Sequence, residues 1–192
     1  MPYTPQILAF AGSTRRESFN KKVLRIAAEG AREAGAEVTF LDFKELPLPL
    51  YDGDLEAEGG IPPNALRLKA LMKGHQGFLI ASPEYNSSIT AVLKNAIDWA
   101  SRPMEGEKPL ECFAGKAAVL MSASPGALGG LRSLSHVRSI LMNIQTMVLP
   151  QQVAVPRAHE ALTEEGRLKD AKQDASIKGL GKTLADMLAK LA

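Results

Sequence analysis

The stretch that decides the fold runs Ile7-Leu8-Ala9-Phe10-Ala11-Gly12-Ser13-Thr14-Arg15-Arg16-Glu17-Ser18-Phe19-Asn20. Its first five residues are apolar without polar alternation, the pattern of a strand buried on both faces of a parallel sheet. Beyond the polar segment, Val23, Ile26, Ala27 and Gly30 recur at helical spacing. A strand, a loop of small polar residues and a helix start make an anion site. The first N–H groups of the helix have no intrahelical partner, and the helix dipole adds positive potential there. Ser13, Ser18 and Asn20 add neutral donors, and Arg15 adds a fixed charge. Gly12 is the only glycine of the loop, so the Gly-x-Gly-x-x-Gly spacing of a dinucleotide fingerprint is absent. Hydroxyls in place of glycines favour a terminal monophosphate over a pyrophosphate laid across bare backbone. Taken singly, Ser18 or Asn20 has the alternative role of a helix cap.

The same alternation continues along the chain. Short apolar runs recur at Val38–Leu41, Phe78–Ala81, Ala117–Met121 and Val153–Val155. Helical stripes lie between them: Leu93, Ala96, Ile97 and Ala100, then Val137, Ile140, Leu141 and Ile144. A weaker helix covers Asn64–Lys73. The last stripe is Leu180, Leu184, Met187, Leu188 and Leu191. Five strands alternating with helices predict a doubly wound α/β domain spanning residues 1–192 as one unit. Proline-rich Lys44–Pro63 reads as a long surface loop, Arg102–Gly115 as a second irregular segment and Pro156–Asp170 as a polar connection.

In such a sheet, ligands sit beyond the carboxyl ends of the strands where strand order reverses. The loops Gly12–Ser18, Ser82–Ser88 and Ser122–Gly130 therefore belong together. The second contains Pro83-Glu84-Tyr85-Asn86-Ser87-Ser88 and leads into Leu93-Lys94-Asn95-Ala96-Ile97-Asp98-Trp99. The third carries Ser122, Ser124, Gly126, Gly129, Gly130 and Arg132. These three motifs, in this order, resemble those of the NAD(P)H-dependent FMN reductase family, the flavodoxin-like group that includes chromate and quinone reductases and azoreductases. The resemblance runs from about Ile7 to about Ile144.

It implies a five-stranded parallel sheet of order 2-1-3-4-5 with helices on both faces. It also implies FMN as cofactor, with NADPH or NADH as electron donor. Hydride would pass from NAD(P)H to the flavin N5 and on to free flavin, a quinone, an azo compound or chromate. Ser13, Arg15, Ser18 and Asn20 would hold the FMN phosphate, with Phe19 among the cofactor-binding residues. Pro83, Glu84, Tyr85 and Asn86 would line the flavin ring, and Ser122, Ser124 and Gly126 would contact its other side. The cofactor carries the chemistry, so no catalytic side chain is expected. The resemblance further implies a homodimer or homotetramer, for which the helix carrying Trp99 is the candidate interface. Two departures are local: Ser87 stands where relatives often have Tyr, and Thr90 and Ala91 stand where they often have Pro-Gly.

Other readings compete. A flavodoxin-like electron shuttle would bind FMN without turnover, but shuttles usually carry an acidic docking face, and the formal net charge here is +2. A binding module for another phosphorylated metabolite is the third alternative. Trp99 and Ile97 suit core or interface equally, and Lys94 and Asp98 are spaced to pair across a helical turn. His75, His136 and His159 are too scattered for a metal site. Position 118 is Ala where a phosphatase loop beginning at Cys112 needs arginine. Gly179-Leu180-Gly181-Lys182-Thr183 imitates the end of a Walker A loop, but no strand precedes it, and it reads as the start of the C-terminal helix. No clamp for the 2′-phosphate of NADPH stands out; Arg16, Arg102 and Arg132 are candidates.

Composition narrows the class. Of 192 residues, 45% are apolar and 23% charged, as in a soluble globular protein. The small net charge argues against a nucleic-acid partner. No apolar run approaches the roughly 20 residues that span a bilayer. No secretory signal is visible, and a single cysteine fits a reducing compartment, so the cytoplasm is the expected location.

Overall fold

The computed structural model describes residues 3–191. Its elements are β1 (Gln6–Ala11), α1 (Phe19–Glu33), β2 (Glu37–Leu41), α2 (Gly53–Gly59), α3 (Pro63–Gly74), β3 (Gly77–Ala81), α4 (Ala91–Ala100), β4 (Ala117–Ala123), α5 (Leu131–Asn143), β5 (Met147–Val155), α6 (Ala158–Ala161) and α7 (Ala171–Lys190). The sheet is parallel throughout, in the order β2-β1-β3-β4-β5. This is the predicted doubly wound topology. The central strands β3 and β4 are buried at every residue, as their continuous apolar runs require, while edge strand β2 is only partly covered.

The two faces carry separate cores. On one, Val23, Ile26 and Ala27 of α1 and Ile177, Leu180 and Leu184 of α7 pack over Ile7, Leu79 and Val119. On the other, Leu68 of α3, Leu93 and Ile97 of α4 and Leu134 and Val137 of α5 cover Leu8, Phe78 and Leu120. The α1–α7 contact explains two glycines. A Cβ on Gly181 would lie 1.7 Å from the Ala27 carbonyl oxygen, and one on Gly30 would lie 2.0 Å from that of Lys178. Gly181 therefore serves helix packing. The Walker-like stretch lies inside α7, which starts at Ala171 rather than at Gly179. Asp170 sets that start, its carboxylate accepting from the N–H groups of Lys172 and Gln173.

Other boundaries also differ from the sequence reading. The Lys44–Pro63 segment contains α2, capped by Asp52, and is tied down rather than loose. Its Pro49 carbonyl accepts from the Trp99 indole at 2.8 Å, and Tyr51 packs edge-on against that indole, with ring centroids 5.0 Å apart. Trp99 is fully buried within the subunit, so it cannot form a subunit interface; the core alternative holds. β5 is longer than Val153–Val155 because a register shift opposite Ala118 and Leu120 admits Pro150 and two glutamines. Arg138 supports that irregularity by donating to the carbonyls of Val148 and Leu149. Pro156–Asp170 includes α6.

The site loops leave the sheet side by side. The Gly12 N–H donates to the Ala81 carbonyl and the Ser82 N–H to that of Met121, each at 2.9 Å. These bonds continue the parallel ladder one step past β1 and β3, so the loops after β1, β3 and β4 emerge at one edge.

Candidate functional site

Those loops enclose a small cavity of about 60 Å³. Its wall includes Ser13, Arg15, Ser18, Phe19 and Asn20 from the first loop and the start of α1. Pro83, Glu84 and Tyr85 come from the second loop, and Ser124 from the third. Nine of the twelve predicted site residues thus meet at one place. The volume is far below the roughly 300–1,000 Å³ of a pocket that encloses a small-molecule ligand. It suits a phosphate-sized group, leaving a larger ligand to extend over the open surface of the second and third loops.

The first loop keeps donors free for a ligand. Ser18 is the N-cap residue of α1 by position, yet its side chain makes no capping bond. It is nevertheless buried, so its hydroxyl faces the cavity region without spending its donor on the helix. The N–H groups of Phe19 and Asn20 open the helix and lack intrahelical acceptors. Arg15 is exposed and makes no ion pair among the described residues. Asn20 is different: its amide donates to the Ala123 carbonyl at 2.8 Å and accepts from the Ala123 N–H at 3.0 Å. It is neither a cap nor a free donor. It ties the start of α1 to the end of β4 and so fixes the third loop against the first.

Gly12 is required by close approach, since a Cβ there would lie 2.9 Å from that of Leu93. Beside it, the buried Thr90 hydroxyl donates to the Gly12 carbonyl at 2.7 Å and accepts from the Leu93 N–H at 3.2 Å. The residue that departs from the common Pro therefore caps α4 and anchors the first loop at once.

In the second loop, the backbones of Tyr85 and Ser88 exchange hydrogen bonds at 3.0 and 3.1 Å around Asn86 and Ser87. Both central residues have positive φ, 50° and 67°, which defines a turn of the kind that favours Asn followed by Gly. Asn86 sits at the tip and does not line the cavity. Ser88 is held from the other side by His136, Oγ to Nδ1 at 2.8 Å.

Glu84 joins the second and third loops. It accepts from the Arg132 backbone N–H at 3.0 Å and from Nε at 2.7 Å. That backbone N–H belongs to the first turn of α5, whose N-cap, Gly130, has no side chain. Glu84 thus caps a helix from a different loop and places negative charge at its positive end. Burial alone would push its carboxyl up, but the Arg132 hydrogen bonds outweigh this and hold it below the ordinary glutamate value. Arg132 is consequently committed and is not a phosphate clamp. Arg102 is committed as well, to Glu56 at 2.9 Å and over the Tyr51 ring.

Two predicted residues play supporting roles. The fully buried Ser122 donates to the Gly129 carbonyl at 2.8 Å. Gly126 donates its N–H to Ser124 Oγ at 3.2 Å. Both shape the third loop without lining the cavity. Ala123 and Pro125 do line it and were not anticipated, although each adjoins a predicted residue. Cys112 is buried beneath Lys69, and burial pushes its thiol up. That suits an inert core residue.

The sheet order and the helices on both faces define a flavodoxin-like fold, and comparison with known proteins gives the family. The sequence profile described as NADPH-dependent FMN reductase matches residues 5–160. The chain is 36% identical over 168 residues to an NAD(P)H-dependent FMN reductase of Pseudomonas aeruginosa, covering 87% of this chain and 86% of that one. It is 36% identical over 147 residues to a quinone reductase of Escherichia coli K12, covering 75% and 73%. Among solved structures, FerB of Paracoccus denitrificans, a flavoenzyme NAD(P)H:(acceptor) oxidoreductase, superposes with a TM-score of 0.81 at 28% identity, covering 97% and 98%. An archaeal flavodoxin superposes with a TM-score of 0.61 at 10% identity and shares the fold. The chain belongs to the NADPH-dependent FMN reductase family. It is an oxidoreductase, with FMN as cofactor and NAD(P)H as donor.

Proposed function

We propose that this protein passes electrons from NAD(P)H through bound FMN to small acceptors, quinones foremost, with free flavin, azo compounds and chromate as further candidates. The observation that carries this reading is the three-loop cavity, in which Ser18 and Arg15 remain uncommitted at the start of α1 beside Ser13. Those residues would hold the phosphate of FMN. Pro83, Glu84, Tyr85 and Asn86 would border the ring on one side, and Ser124 with Gly126 on the other.

When bound, the flavin supplies the two-electron chemistry that no side chain of the site can perform. The protein's part is to position. Thr90 and Asn20 hold the first loop to its neighbours, and the Glu84–Arg132 pair fixes the second loop against the third. With its carboxylate spent on Arg132, Glu84 orients the loop rather than transferring protons. Tyr85, Leu128 and Leu131 are 55%, 51% and 44% exposed around the open side of the site. We infer that a second copy covers them in a homodimer or homotetramer, with the outer face of α4, where Ala91 and Lys94 are exposed, as the other candidate surface. No helix among the described residues is long and apolar enough to cross a membrane. The cytoplasm is proposed as the location on a separate ground, the chain's single cysteine.

The test is turnover by purified protein given FMN, NADPH and a simple benzoquinone. Quinone-dependent NADPH oxidation well above that of free FMN is the expected result. FMN binding without turnover would instead favour the electron shuttle. Failure to bind FMN would leave the module for another phosphorylated metabolite.

A further inference from the structure

The tip of the second loop has little support of its own. Between Tyr85 and Ser88 the chain closes a turn on two backbone bonds, with Asn86 and Ser87 at φ 50° and 67°. Positive φ is unfavourable for a residue with a Cβ, so such a turn persists only where its surroundings hold it. Tyr85, Asn86 and Ser87 are exposed, and among the described residues none of their side chains makes a hydrogen bond. The Ser88 hydroxyl is the exception, bonded to His136 Nδ1 at 2.8 Å.

His136 is the outermost of three contacts from one helix. Arg132 meets Glu84 through its backbone N–H at 3.0 Å and its Nε at 2.7 Å. The buried Ser133 Oγ lies 3.0 Å from the Ser82 carbonyl oxygen and 2.8 Å from that of Gly130. Positions 132 and 133 lie four and three residues before 136, so all three share one side of α5. Together they follow the second loop from the end of β3 to the far side of its turn. Arg132 and Ser133 fix the base of the loop, and only His136 reaches the turn itself.

We propose that His136 is a positioning residue: through Ser88 it fixes the Tyr85–Ser88 turn, and with it the loop that would border the flavin ring. The proposal rests on the reading of this chain as an FMN-dependent oxidoreductase.

The test exploits the bonded nitrogen. Asparagine carries its amide close to the position of Nδ1, whereas phenylalanine keeps a ring and loses both nitrogens. The variants are His136→Phe, His136→Asn and Ser88→Ala; position 136 is exposed, so the fold should tolerate all three. In the apoprotein, hydrogen exchange at the Tyr85 and Ser88 amides should quicken about two- to tenfold in His136→Phe, as for loss of one hydrogen bond. The thermal midpoint should stay put, because only the turn opens. His136→Asn should restore protection. The His136→Phe/Ser88→Ala double variant should exchange no faster than either single one, since both remove the same bond. In FMN-loaded protein, His136→Phe should weaken FMN binding by a similar two- to tenfold, on the same ground. The visible circular dichroism of the bound flavin, which reads the asymmetry around its ring, should change in His136→Phe and return in His136→Asn. Parental exchange in His136→Phe, additive effects in the double variant, or an asparagine variant no better than the phenylalanine one would overturn the proposal. So would faster exchange with parental FMN affinity and dichroism. If the parent protein itself fails to bind FMN, the functional reading fails, and the apoprotein exchange still decides whether His136 holds the turn.

Discussion

Replacing Thr90 by Val tests how the phosphate loop is held. Valine keeps the shape and removes the hydroxyl, which is 3% exposed and serves two partners, the Gly12 carbonyl at 2.7 Å and the Leu93 N–H at 3.2 Å. No other group among the described residues donates to the Gly12 carbonyl. Leaving a buried carbonyl unpaired costs about 1–3 kcal/mol, and losing an N-cap side chain costs about 1 kcal/mol. The expected destabilisation is therefore about 2–4 kcal/mol, or a Tm lower by about 4–16 °C for a protein of this size. The same bond sets the orientation of the peptide that enters the loop, so FMN affinity should fall as well. Thr90→Ser retains the hydroxyl and should recover most of both. Thermal unfolding and titration of apoprotein with FMN read the two effects. A Thr90→Val protein with parental Tm and FMN affinity would show that this hydroxyl does not hold the first loop.

Further perturbations follow from the same geometry. Arg15→Ala should weaken FMN binding about tenfold by removing a charged phosphate donor while leaving the thermal midpoint unchanged, as read by flavin fluorescence and calorimetry. Gly181→Ala would place a methyl group 1.7 Å from the Ala27 carbonyl oxygen; it should prevent soluble expression or lower the midpoint sharply, whereas Gly179→Ala, with nothing nearby, should be neutral or stabilising. Ser87→Gly should stabilise the second loop by about 1 kcal/mol, because the serine holds a positive φ that glycine adopts freely. Stability should decline in acid. Burial would raise the Glu107 carboxyl, but hydrogen bonds from Lys69 and Lys73 hold it below its ordinary value of 4.5. A depressed folded-state pKa stabilises above that value and is lost as pH falls through and beneath it. Urea unfolding should therefore show a shallower acid dependence for Glu107→Gln, and a lower stability at neutral pH.

The strands were legible because parallel strands buried on both faces must be continuously apolar, as Phe78–Ala81 and Ala117–Met121 are; their order came from the family resemblance. The site was legible because each motif follows such a strand. What escaped was long-range pairing. Asn20 reads as a donor at a helix start, yet its partner is Ala123, far along the chain. Glu84 reads as a ring-lining residue, and only the fold brings it to the uncapped start of α5. Gly181 sits in a phosphate-loop look-alike because helix contact and phosphate approach both demand a missing side chain. Trp99 could not be assigned from its helical stripe, since the Pro49–Tyr51 segment that buries it lies in a stretch with no periodicity. The β5 register shift was likewise hidden, because Pro150 and the glutamines break the apolar run.

The proposed function turns on one step, reduction of the bound FMN by NAD(P)H. Anaerobic titration of the FMN-loaded protein with NADPH, followed in the visible flavin absorbance, tests it most directly. Bleaching with one NADPH per bound flavin and full recovery of colour on adding a quinone is the expected result. A flavin that stays oxidised in the presence of both NADPH and NADH would contradict it.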